Sequence, residues 1–425
     1  ASSLESIASS RLGAVRWLAS GRVTGWPLFA GAPTEDGGAY MAGYFAGEMS
    51  AGGQKFQSEG RQEGLLARVG PEFGGEHVRW IKPVATGGGG AFLTSVVETE
   101  EGGVLAAGYF EKRARFGERE LTSAGAFDGL MAKFDPSGEV EWARRIGSGP
   151  ARVEWFDLAG TADGGAVAVG RFEGRASFGE QTFESAGSFD GVVVRVDAEG
   201  AVEWASRTGR GVAGLHLRSI ASGPDGGFVA AGSFAQGPLE EEPKPMTFGG
   251  ERLTAAGVQD GVVLRLDDQG RVEWARRLGT GESFIYLRSV AVGRDGGIFV
   301  AGDFYGPASF GDSEFGIESN EHSKNGVLTR LSPAGDLEWV RYAVGQEVQL
   351  SFRTLFALEE GGAIVAGDYI GTRSEGAKGQ FGLASVTGEE VEADAEATID
   401  VSGRHGFVYW VDGSGQTRGL KRISR

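Results

Sequence analysis

Of the chain's 425 residues, 40% are hydrophobic and 23% charged, which supports a buried core, and the formal net charge of −17 excludes a general role on nucleic acid or anionic membranes, where phosphate binding requires local positive charge. No apolar run approaches the ~20 residues of a membrane span, and 75 glycines without a G-X-Y period exclude collagen. The absence of cysteine excludes disulfides and thiolate metal sites and leaves the redox compartment open.

The first 20 residues, Ser-rich after Ala1, fit a processed N-terminus and earlier export. Within them Gly13–Ser20 carries a strand type, centred on Val15–Trp17, that returns throughout the chain. Gly-Gly pairs follow at 37–38, 102–103, 164–165, 226–227, 296–297 and 361–362, spaced 65, 62, 62, 70 and 65 residues apart. Trp17, Trp80, Trp142, Trp204, Trp274 and Trp339 each stand in a V-x-W-like frame. Trp410 leaves this series: it aligns with Lys133, and Gly419 aligns with Trp142. The chain therefore divides into six units of about 62 residues, at approximately 21–84, 85–146, 147–208, 209–278, 279–343 and 344–425, with 1–20 as an extra strand segment.

Each unit reads as two hairpins. In the third, FDLAGTADGGAVAVGRF gives a strand, an Asp-Gly-Gly turn and a strand. DGVVVRVDAEGAVEWASR gives a second pair around the turn Asp197-Ala198-Glu199-Gly200. Val192, Val194 and Val196 alternate with Val193 and Arg195, the period of a strand, and no segment holds a helical period. Between the hairpins, FGEQTFESAGSFD, FGERELTSAGAFD and FGGERLTAAGVQD predict a short excursion with an extra small strand pair. Insertions collect there: GPLEEEPKPM in the fourth unit and roughly 372–404 in the sixth. Six units of four strands predict an all-β, six-bladed β-propeller forming a single domain over 1–425, with seven blades as the alternative. The small residues of strand two (AVAVG, FVAAG, IFVAG) are expected where blades converge on the axis, and the strand-four Trp in the wider gap between blades. Of Val15–Trp17 and Thr417–Ile423, one is expected to close the ring. The other would be a spare edge open to self-association.

The motifs G-x-x-x-V-A-G-x-F, F-G-x-x-x-L-T-S-A-G-x-x-D-G and V-x-x-L-D-x-x-G-x-V-x-W-A resemble a bacterial β-propeller repeat family of secreted and surface proteins, notably of myxobacteria. The resemblance covers nearly the whole chain and is clearest over 91–345. It implies the propeller and an extracellular or outer-envelope setting, with no implied activity.

Enzyme signatures are sparse. His77, His216, His322 and His405 show no metal-binding spacing, and neither a G-x-S-x-G elbow nor a Walker loop is present. ATGGGGAF at 85–92 opens no helix and reads as a loop. The frame Asp197…Gly200…Trp204 is similar to the tryptophan-docking repeat of quinoprotein propellers, but its turn is one residue shorter and vicinal cysteines are missing. Asp128, Asp190 and Asp260, with Asn325 and His405 in register, precede the glycine that opens strand three. Each carboxylate either accepts N–H groups of its own turn or joins a ring that holds a hard cation such as Ca²⁺.

The most uneven repeat position, eight residues before each Gly-Gly pair, reads Phe29, Thr94, Phe156, Arg218, Arg288 and Arg353. Two residues earlier stand Pro27, Phe92, Glu154, His216, Tyr286 and Ser351, and after strand two's glycine stand Tyr44, Tyr109, Arg171, Ser233, Asp303 and Asp368. Arg218, Arg288 and Arg353, with His216 and Tyr286, form the candidate ligand site, since arginine offers paired donors to carboxylate, sulfate or phosphate. The alternative is that these arginines pair with neighbouring carboxylates. The expected function is a non-catalytic binding scaffold for protein or carbohydrate at the cell surface. The alternatives are a polysaccharide lyase or hydrolase using His216 and Tyr286 as acid–base groups, or a structural subunit of a surface assembly.

Overall fold

The computed structural model describes residues 28–51, 53–59, 61–71, 78–150, 152–211, 214–235, 245–281, 283–310, 324–345, 348–371, 378–384, 390–391, 398–400 and 404–423. Gly13–Ser20 with Val15–Trp17, Pro27, His77, His322, residues 236–244 and most of 372–404 lie outside the described residues.

All regular structure among the described residues is β-strand. It forms six four-stranded antiparallel sheets, each built from two successive hairpins; the first three stand separate, and the last three are joined into one 15-stranded sheet, with the parallel pairs Gln259↔Phe284 and Lys324↔Gln349 between them. Sheets over 28–83, 91–145 and 152–208 make up a first compact unit, residues up to 185 with 191–207. Sheets over 215–278, 284–345 and 348–423 make up a second, residues 186–190 and 208 onward. The third sheet shows the pattern: Arg152–Gly160, Ala166–Glu173, Asp190–Val196 and Val202–Thr208. The predicted excursion is a two-stranded hairpin, for example Arg113–Phe116 with Arg119–Thr122. The C-terminal Thr417–Ile423 is not a spare: it pairs with Arg404–Val411 as the fourth strand of its own sheet.

The turns follow their residues. At each Gly-Gly hairpin the first glycine has positive φ, 80° at Gly37 and 79° at Gly164. In the second hairpins Asp135, Asp197, Asp267 and Asp412 use Oδ1 to accept the N–H groups two and four residues on.

The core lies between consecutive sheets. One cluster joins Tyr40 and Leu66 of the first sheet to Leu93, Phe110 and Phe134 of the second, and another joins Phe299 and Leu328 of the fifth to Leu350, Phe352 and Tyr409 of the sixth. Three devices tie sheet to sheet. In three sheets the strand-four Trp reaches the next sheet's D-x-x-G turn: Nε1 of Trp80, Trp142 and Trp339 donates to the carbonyls of Pro136, Ala198 and Gly413 at 2.9–3.0 Å. The ring covers that turn's glycine, so a Cβ on Gly138 would lie 2.9 Å from Trp80 and one on Gly200 2.8 Å from Trp142. Next, the serine after each strand-one irregularity (Ser95, Ser219, Ser289) accepts the N–H of Leu158, Val290 or Leu355 in the following sheet at 3.1 Å. Finally, strand four extends to bridge the next small hairpin, as in Thr86↔Arg115 and Ser148↔Ser177. In the sixth sheet Trp410 faces Gly419 across the strand pair, and a Cβ there would lie 2.1 Å from its ring. The indole has moved one strand over, and glycine leaves the room for it.

The glycine in the middle of strand two has a different cause from the expected convergence of blades. A Cβ on Gly108 would sit 1.8 Å from the Phe92 carbonyl oxygen, and one on Gly170, Gly232, Gly302 or Gly367 2.1–2.2 Å from the matching carbonyl. That carbonyl is pushed across by a β-bulge in strand one, where the register slips by one residue, as between Leu93 and Ser95.

A repeated ion pattern holds the outer strands. The basic residue of strand three pairs with the acid of the Gly-Gly turn: Arg68–Asp36 at 2.6 Å, Lys133–Glu101 at 2.8 Å, Arg195–Asp163 and Arg330–Asp295 at 2.5 Å, and Arg265–Asp225. From Lys133 on, the strand-four glutamate joins it, as Glu141 at 3.2 Å and Glu203 at 2.5 Å. The Thr161 hydroxyl, with help from Arg195, holds the Asp163 carboxyl at about 2, below its ordinary 3.8. A depressed carboxyl value means that the stabilisation is complete above the ordinary value and is lost as pH falls through the folded one. Wild type should therefore melt above Asp163→Asn at pH above about 5, and the gap should close as pH approaches about 2. A gap independent of pH in thermal melts would sink this assignment.

Candidate functional site

The uneven repeat position is the bulge itself. The register slips of strand one fall between Leu28 and Ala30, Leu93 and Ser95, Trp155 and Asp157, Leu217 and Ser219, Leu287 and Ser289, and Phe352 and Thr354. The skipped residues are Phe29, Thr94, Phe156, Arg218, Arg288 and Arg353. A bulged residue has no cross-strand partner, so its side chain is freed from the alternation of the sheet and can vary without cost to the ladder. Beside it, across the hairpin, lie the two other variable positions: Phe92↔Tyr109, Glu154↔Arg171, His216↔Ser233, Tyr286↔Asp303 and Ser351↔Asp368. Three variable positions of the second to sixth sheets thus converge at one end of each.

In the second unit this end is polar. Arg288 grips the fully buried Asp303 with Nε and, at 3.0 Å, with Nη2. Lys324, 7% exposed, reaches the same carboxylate at 3.0 Å and the Ser351 hydroxyl at 2.5 Å. Arg353 donates from Nε to Asp368 at 2.7 Å. The Tyr286 ring lies 5.7 Å from the Arg288 guanidinium, and the Tyr305 ring 5.7 Å from Lys324 Nζ. Burial holds the Lys324 ammonium below the usual lysine value against the pull of Asp303, and Arg288 and Arg353 push the same way. Burial also opposes the charge on Arg288, but the hydrogen bonds and charge of Asp303 outweigh it and raise the guanidinium's value.

Tyr286, Arg288 and Arg353 are thereby brought into one cluster, and the two arginines adopt the carboxylate pairing that stood as the alternative. Arg218 is exposed and has Ser233 where its counterparts have Asp303 and Asp368. His216 packs edge-on against Phe189, with ring centroids 5.6 Å apart. Lys324 is the member of this cluster that the repeat reading missed. Its signal was a base at the position occupied elsewhere by Phe127, Phe189 and Gln259.

In the first unit the same end is aromatic. Tyr44, Phe92, Tyr109 and Phe127, all half-buried, make a contiguous row: Tyr44–Phe92 and Phe92–Tyr109 at 4.8 Å, and Tyr109–Phe127 at 5.4 Å. Arg152 covers Phe127 at 4.9 Å, and beyond it Glu154 pairs with Arg171 at 2.5 Å while Arg171 lies over Phe156.

Asp128, Asp190 and Asp260 are fully buried, and each caps its own loop. Their Oδ2 atoms accept the N–H groups of Ala124 at 2.8 Å, Ala186 at 3.1 Å and Ala256 at 2.7 Å. Among the described residues, no group of three or more His, Asp or Glu is placed to hold a metal ion. Burial raises the Asp128 and Asp260 carboxyls above the usual range, and Asp128 Oδ1 has no hydrogen-bond partner. Arg145, 3.5 Å from Asp128 Oδ2, and Arg277, 3.8 Å from Asp260 Oδ2, are partly exposed partners that add little, so the cap depends mainly on an acceptor, and Asn325 stands at the same position in the fifth sheet. Asp128→Asn is expected to leave the melting temperature nearly unchanged at neutral pH, whereas Asp128→Ala should cost about 1–3 kcal/mol by stranding the Ala124 N–H. Equal losses in both variants, read by denaturant titration, would show that the charge itself is needed.

No family model matches the chain, and no curated protein matches it. Solved structures similar to it include a protein of unknown function from Bacteroides caccae, at 13% identity over 84% of this chain and 89% of that one, with a TM-score of 0.38. A luciferin-regenerating enzyme matches at 10% identity over 94% and 96%, with a TM-score of 0.38. An ulvan lyase of polysaccharide lyase family 25 matches at 9% identity over 92% and 90%, with a TM-score of 0.45.

Proposed function

We propose that the six sheets are the blades of a six-bladed β-propeller, and that the chain is a non-catalytic scaffold that binds carbohydrate at the bulge end of its blades. The setting is extracellular or on a bacterial outer envelope, in keeping with the repeat family that the motifs resemble. The Trp-to-turn, serine-to-backbone and hairpin ties support the propeller, because each joins one sheet to the next in sequence. The observation that carries the binding reading is the bulge, found at one position in every sheet and bearing the repeat's most varied residue. A scaffold that repeats its core and varies one projecting site behaves as a platform for recognition.

The chemistry at that end suits a sugar. Half-buried rings present apolar surface with phenol hydroxyls at their rims, and guanidinium groups lie beside them. A thermal-shift screen of oligosaccharides should give a saturable rise in melting temperature, since a ligand that binds only the folded state stabilises it by mass action. The rise should shrink in Tyr286→Ala or Arg353→Ala. Melting that no oligosaccharide changes, or that rises equally in both variants, would remove the carbohydrate assignment.

A further inference from the structure

Among the described residues, the polar end of the second unit carries more positive than negative charge. Three cations, Arg288, Lys324 and Arg353, face two carboxylates, Asp303 and Asp368. The groups act on one another as a set: Asp368 is felt at Arg288, and Arg288 and Arg353 are felt at Lys324. Asp303 is already held by Arg288 through two nitrogens when Lys324 reaches it. Among these residues one positive charge is left over, at a place where Lys324 is almost wholly buried and also meets the Ser351 hydroxyl and the Tyr305 ring. Buried charge without compensation is costly, and here the deficit is of negative charge in a chain whose overall charge is −17. Arg353 supplies an approach. Its side chain is 47% exposed and its Nε alone bonds Asp368, which leaves the paired Nη groups for an oxyanion arriving from solvent.

We infer that this cluster is an anion subsite: a carboxylate or sulfate group of the bound glycan docks on Arg353 beside Arg288 and supplies the negative charge missing around Lys324. The inference rests on the carbohydrate-binding reading for its ligand, but the subsite is testable with a free ion. Tyr286 and Tyr305, whose rings are 6.2 Å apart, would flank the sugar that carries the anionic group.

Inorganic sulfate is titrated into the full chain and into Arg353→Ala and Lys324→Met, with chloride at matched ionic strength as control, and melting and calorimetric binding are followed. The expected result is a saturable rise with sulfate in wild type, weakened at least about tenfold in Arg353→Ala, where charge-assisted hydrogen bonds are lost. Lys324→Met, which removes the surplus cation, should melt at or above wild type without sulfate and gain less from it. A rise that does not saturate and is shared by Arg353→Ala is the general salting effect of sulfate and overturns the subsite. In a second arm, a uronate oligosaccharide should bind more tightly than a neutral one of equal length. Equal binding of the two would overturn the subsite while leaving the carbohydrate reading intact. Sulfate binding with no oligosaccharide bound at all would do the reverse.

Discussion

Gly108→Ala is expected to be among the most damaging single-methyl changes the protein can suffer, lowering stability by roughly 3 kcal/mol. The added Cβ would lie 1.8 Å from the Phe92 carbonyl oxygen and 3.1 Å from the Leu93 Cα. Both are backbone atoms of the bulge, so no rotamer change relieves the overlap. The hairpin Ala91–Glu98 with Val104–Phe110 must either open or lose its bulge. Losing the bulge would slip the strand by one residue and turn its buried side chains outward. Gly250→Ala is the control, because a Cβ there meets no atom within 4 Å. It should leave stability unchanged or slightly raised. The comparison is read from thermal unfolding of both variants, and a Gly108→Ala protein as stable as the control would show that the bulge carbonyl can yield. Gly302→Ala should add a second readout. Its Cβ would strike the Tyr286 carbonyl at 2.2 Å, displacing Arg288 and weakening anion binding along with stability.

Asp303→Asn should cost about 3–5 kcal/mol, the penalty for removing one partner from a buried ion pair. The carboxylate has no exposed surface and carries both Arg288 and Lys324. Asparagine keeps the shape but leaves the buried Lys324 and the half-buried Arg288 facing a neutral amide that offers them a single acceptor. The double variant Asp303→Asn with Lys324→Met should recover a large part of the loss, since the second change removes one stranded cation. A coupling energy is the proper measure for groups in direct contact. Additive effects in a denaturant-based cycle would mean that Lys324 and Asp303 do not share the charge as their 3.0 Å separation implies. The loss should also be smaller in Asp368→Asn, because Asp368 and Arg353 are partly exposed and water can take over their solvation.

The strands and turns of this protein were legible in its residues because they depend on local chemistry. Asp at the start and Gly at the end of a four-residue loop specify a hairpin wherever they occur, and Asp197 to Gly200 needed no tertiary information. The tryptophan register was legible for the same reason, including its break. Trp410 aligned with Lys133 and Gly419 with Trp142, and the cross-strand pairing Trp410↔Gly419 has the same place as Lys133↔Trp142. What those tryptophans touch is the glycine of the next sheet's turn, some 58 residues on from Trp80 and from Trp142, and no local pattern announces that contact.

The site was harder to read because it depends on one extra residue. A bulge leaves no composition signal, only a break in alternation, as where Ser95 and Val96 are buried in succession. Without the slip, Thr94, Arg218 and Arg288 read as ordinary strand positions that happen to vary, and strand two's glycine reads as a demand for room at an axis. With it, both facts have one cause: the bulge pushes a carbonyl toward the neighbouring strand and releases a side chain. The sequence by itself determined the repeats, the hairpins and the position that varies. Only the tertiary structure decided how the charges pair, since Arg288, Asp303, Lys324 and Ser351 lie 15 to 27 residues apart from one to the next and meet only when three strands and the following sheet are in place. Pairing of charges across strands obeys distance and burial, which no linear spacing records.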